Sequence, residues 1–84
     1  MNDIATQLEI RRQISACERE MKRATERTSD ALRHVSGAMV MFHSPAEVDL
    51  DVMEAAIGDI RDARAAYVAA LRRKQELKAA LGEE

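Results

Sequence analysis

Between Asp3 and about Met41, apolar or small residues recur at Ile10, Ile14, Cys17, Met21, Ala24, Thr28, Ala31, Val35 and Ala38, alternately four and three positions apart. That spacing keeps one stripe on one side of a helix and is the seam of a coiled coil. No proline interrupts the stretch, and Gly37 is its only glycine. It predicts one helix over about residues 3–41, on the order of 55 to 60 Å long at 1.5 Å per residue. Thr28 is the one clearly polar member of the seam.

A second seam follows: Met53, Ala56, Ile60, Ala63, Tyr67, Ala70, Lys74, Leu77 and Leu81, alternately three and four apart. Lys74 is the misfit, and its aliphatic stem can cover the seam while the ammonium reaches water. Gly82 is placed to stop the helix. Between the segments lies the chain's single proline, in FHSPAEVDLD, residues 42–51. Ser44, Pro45 and Glu47 read as N-cap, first helical residue and capping-box partner, giving a turn at about 42–44 and a helix at about 45–81. Asp51 and Glu54 form a competing capping box, which allows the helix to start later.

Two helices of similar length joined by a few residues pack antiparallel. The expected fold is therefore all-α, a coiled-coil-like two-helix hairpin forming a single unit. Folding the chain near its proline makes residues face each other when their numbers sum to about 87. Small layers then coincide at Cys17 with Ala70, Ala24 with Ala63, and Ala31 with Ala56. Met21 falls near Tyr67, Thr28 near Ile60, and Ile10 by Leu77. The same register sets Glu9 near Lys78, Arg11 near Glu76, Glu26 near Arg61 and Arg33 near Glu54, with Arg23 against Arg64 as a clash.

Several large apolar residues lie off the seams: Ile4, Leu8, Leu32 and Met39 on the first helix, and Leu50, Ile57, Val68 and Leu71 on the second. The run GAMVMF, Gly37 to Phe42, goes round the helix at the hairpin tip. It either caps the core against Val48, Leu50 and Val52 or meets a partner, with methionine supplying an adaptable surface. An 84-residue chain built on alanine layers gains too little burial alone. A second contact surface is expected, and Met39, Met41, Phe42, Leu50, Ile57, Val68 and Leu71 are the candidate partner-binding residues.

Composition narrows the function. Aromatic residues are 2% of the chain and the formal net charge is -2, so neither aromatic stacking nor a strong positive field favours nucleic acid or anionic lipid. The band Lys22, Arg23, Arg27, Arg72, Arg73 and Lys74 reads as a solvated face. One cysteine, Cys17, excludes an internal disulfide, and on a small-residue layer it reads as a buried hydrophobe. The start of the chain lacks a signal-like apolar run, and no stretch approaches a membrane span, which makes a cytoplasmic address the expectation. His34 and His43 belong to no metal motif, and there is no glycine-rich phosphate loop. His34 invites comparison with histidine phosphotransfer domains, but Val35, Ser36 and Gly37 follow it in place of those families' acidic or lysine and glycine positions. No catalytic, cofactor or metal site is expected.

A polar first helix, a turn carrying Ser-Pro, and a stretch containing Glu54, Ala55, Ala56 and Ile57 give the chain, over about residues 15–74, a layout similar to the small co-chaperones of type III secretion needle subunits. That resemblance implies a helical hairpin which, with a larger helical-repeat partner, keeps the needle subunit from polymerising in the cytoplasm. Small phage and mobile-element proteins share the architecture. The sequence thus favours a non-enzymatic adaptor or co-chaperone binding another protein through apolar helix faces. The alternative is a homodimeric four-helix-bundle scaffold; a nucleic-acid-binding or phosphotransfer module is disfavoured.

Overall fold

The computed structural model describes residues 3–40 and 44–82. Two long helices, α1 (Ile4–Val40) and α2 (Leu50–Ala80), form an antiparallel hairpin 65 Å along its long axis. There is no strand among the described residues. Among the described residues, the buried ones are Ile14, Cys17, Ala24 and Ala31 from α1, and Ala56, Ala63, Ala70 and Leu77 from α2. All eight lie on the two seams, and five are alanine. Larger side chains gather towards the open end, where Ile10, Met21 and Leu81 pack against the cluster Ile14, Cys17, Ala70 and Leu77.

Polar seam members are accommodated locally. The Thr28 hydroxyl donates to the Ala24 carbonyl at 2.9 Å, which removes the cost of an unpaired donor on the helix contact. Lys74 lays its stem along the seam and its Nζ reaches Glu18 at 3.5 Å.

The helix ends explain where each element starts and stops. At the head of α1 the Asp3 carboxylate accepts from the Thr6 N–H at 2.7 Å. That bond holds the Asp3 carboxyl below its usual range. At the far end Gly82, with φ of 80°, takes the left-handed conformation that closes α2.

The start of α2 corrects both capping boxes expected from the sequence. Ser44 is extended and makes no side-chain cap bond, and Pro45–Glu47 form a single 3₁₀ turn closed by Val48 N–H to the Pro45 carbonyl at 3.3 Å. The cap is Asp49, whose carboxylate accepts from the Val52 N–H at 3.1 Å. Val48 and Asp49 are extended, so the proline turn cannot run directly into α2.

Several expected charge pairs also differ. Glu9 binds Arg12 at 2.6 Å and Gln13 at 3.1 Å on its own helix, and Arg33 binds Asp30 at 3.3 Å. Partners three or four residues along a helix are already in place, so they outcompete partners that depend on the second helix. The Arg12 bond lowers the Glu9 carboxyl from its ordinary value.

Two stability predictions follow from this geometry. Asp49→Ala should cost about 1 kcal/mol, while Ser44→Ala should change stability by less than about 0.5 kcal/mol, measured by denaturant unfolding. Ala70→Leu should overpack the layer beside Cys17 and destabilise the hairpin by about 1–3 kcal/mol, read the same way.

Candidate protein-binding flank

Beside each seam runs a pair of flanks, and the hairpin makes them unlike. One flank is ionic. Arg27 from α1 reaches Asp59 at 3.3 Å and Asp62 at 3.6 Å on α2. Arg73 donates to the Gln13 side-chain carbonyl at 3.1 Å and lies 3.8 Å from Glu76. These pairs are exposed and each contributes little. Together they bridge the helices on this side, which also holds a depression of about 350 Å³ lined by Glu20, Arg23, Ala24, Arg27, Ala63 and Ala66.

The other flank is apolar and open. Thr25, Thr28 and Ser29 from α1 and Ile60, Ala63, Arg64 and Tyr67 from α2 line, with Ala24, a groove of about 370 Å³. It exists because α1 presents only small side chains here, so nothing fills the space beside Tyr67. Tyr67 itself, expected in the seam, stands at the rim and is 37% exposed. A neighbouring depression on α2 is lined by Arg61, Arg64, Ala65, Val68, Ala69 and Arg72.

Of the candidate partner-binding residues, Leu50, Ile57, Val68 and Leu71 belong to this flank of α2. Leu50 is 65% exposed and Ile57 45%, with Leu32 on α1 at 55%. Val68 is exposed and Leu71 half-buried. Met41 and Phe42, and the side chain of Met39, lie outside the described residues, as does His43. The sequence reading missed the groove itself. Its signal was the run of small residues Ala24, Thr25, Thr28 and Ser29, which share one side of α1 at helical spacing.

Other candidate chemistry disperses. His34 Nδ1 donates to the Asp30 carbonyl at 2.8 Å, one turn back on the same helix. Cys17 is buried in the seam. The basic band splits, because Arg27 and Arg73 turn to the ionic flank while Lys74 reaches Glu18. Among the described residues no group of three or more His, Cys, Asp or Glu side chains could hold a metal ion, and no helix is long and apolar enough to cross a membrane.

Comparison of the chain with protein-family models, with curated proteins and with solved structures gives no match in any of the three.

Proposed function

We propose that this chain is a non-enzymatic protein-interaction module, a small helical adaptor or co-chaperone that binds another protein through the open flank of α2. One observation carries the reading: the hairpin holds far more surface than its mass requires. Its accessible surface is 6576 Å² for 9.4 kDa, whereas a compact monomer of that mass exposes about 5,000 Å². The surplus of about 1,500 Å² exceeds the roughly 800 Å² that each partner buries in a standard interface. Of the exposed large apolar side chains, Leu32, Leu50, Ile57, Tyr67 and Val68 lie along the open flank. The layout shared with needle-subunit co-chaperones makes a secretion substrate, or its larger helical-repeat chaperone, the first partner to test.

A homodimeric four-helix bundle is the second reading. The thin alanine core favours it, since a second hairpin would supply the missing burial.

Ile57→Asp tests the flank, because it sets a charge at the centre of the proposed contact. Ile57 is already half exposed, so helicity by circular dichroism should be unchanged. Affinity-tagged wild-type chain and Glu20→Gln, altered on the ionic flank, should co-purify with one stoichiometric partner from cells. Ile57→Asp should lose that partner by about tenfold or more. Retention of the same partner by Ile57→Asp would refute the flank as the binding surface, and a wild-type dimer in light scattering that Ile57→Asp splits would favour the homodimer.

A further inference from the structure

The open flank is not only apolar; it carries cations that the hairpin leaves unused. Arg61, Arg64 and Lys22 make no ion pair among the described residues, in contrast to Arg27, Arg73 and Lys74. They stand on the open side of a chain whose formal net charge is -2. Asp59 and Asp62 are engaged by Arg27 on the ionic flank, Glu18 is held by Lys74, and Glu54, three residues before Ile57, borders the cationic stretch at one end.

Order along α2 makes this a pattern. Ile57, Arg61, Arg64, Val68 and Leu71 are spaced four, three, four and three apart, which places them on one stripe. The stripe reads apolar, cationic, cationic, apolar, apolar. Ile57, with Leu32 across the groove mouth, forms one apolar end, and Val68 with Leu71 forms the other. The distance from Ile57 to Leu71 is about 21 Å at 1.5 Å per residue.

We infer that the flank takes an acidic amphipathic helix from a different protein, with apolar anchors about four turns apart and Asp or Glu side chains between them facing Arg61 and Arg64. This rests on the interaction-module reading above and adds the partner's chemistry. A second copy fits poorly. A two-fold contact places the same patch against itself, and centring it to match the two apolar ends brings Arg64 onto its own copy and the cationic middle of one hairpin against that of the other. Like charges at the centre of a contact are costly, whereas carboxylates there neutralise the cations and fix the register. A small molecule fits less well, since the groove is a trough open along its length and would leave most of such a ligand in water.

Two designed helical peptides test the inference by fluorescence polarisation. Both carry leucine pairs about 14 residues apart; one has glutamates between the pairs and the other lysines. The wild-type chain should bind the glutamate peptide about tenfold more tightly at low salt, with the difference shrinking at high salt. Arg61→Glu/Arg64→Glu, both on the surface, should keep its helicity and reverse the preference. Ile57→Asp should weaken both peptides.

Equal binding of the two peptides, still weakened by Ile57→Asp, would overturn the acidic-helix assignment and leave the interaction flank standing. No binding of either peptide by a monomeric chain would overturn both. Self-association that Ile57→Asp abolishes would replace the acidic helix with a second copy. Single-stranded DNA that competes with the glutamate peptide, with Ile57→Asp making no difference, would reduce the flank to a general polyanion surface and refute the assignment.

Discussion

Alanine packed on alanine is the contact on which the hairpin depends. Where Ala24, Ala31, Ala56 and Ala63 are buried, small side chains leave the two helices free to approach closely and hold one register. The same contact limits stability, because a buried methyl contributes about 1 kcal/mol, against roughly 1.5–3 kcal/mol for leucine or isoleucine. Among the described residues, the core of larger side chains lies at the open end, with Ile14, Leu77 and their neighbours. The chain therefore keeps its register with a thin core and carries much of its bulky apolar surface outside it.

That division gives the two flanks different surfaces. Arg27 with Asp59 and Asp62, and Arg73 with Gln13, bridge the helices on one side. On the other side, the small residues of α1 open a groove against α2, with Tyr67 at its rim and Arg64 exposed beside it. Ile57, Leu50 and Leu32 stand out into water there. It is this surface, with apolar patches around unpaired cations, on which the proposed recognition of a helix of opposite charge rests.

Much of this fold was legible in the residue spacing. The three-and-four alternation selected stripes from Ile14 to Ala31 and from Ala56 to Leu77 that contain every buried residue among those described, although Met21, Thr28, Ile60 and Lys74 on them are half-buried and Tyr67 is exposed. The turn was not legible in detail, because Ser-Pro and Asp-Leu-Asp offer competing caps that differ by fractions of a kcal/mol; the backbone spends Pro45–Glu47 on a separate 3₁₀ turn and caps α2 with Asp49. Pairing by register also failed for Glu9 and Arg33, whose partners one turn away on α1 win by proximity. The groove was hidden for a different reason. A sum of residue numbers treats the two flanks alike, and only the packed hairpin separates the side with Arg27 from the side with Arg64.

The most direct test of the account is equilibrium unfolding of the chain alone in denaturant, repeated over an approximately hundredfold range of protein concentration. A thin alanine core completed by another protein predicts a helical monomer of low stability, no more than about 5 kcal/mol, with a midpoint independent of concentration. A monomer well above that stability would mean the hairpin needs no second surface. A midpoint that climbs with concentration would mean that a second copy, not a foreign helix, covers the open flank.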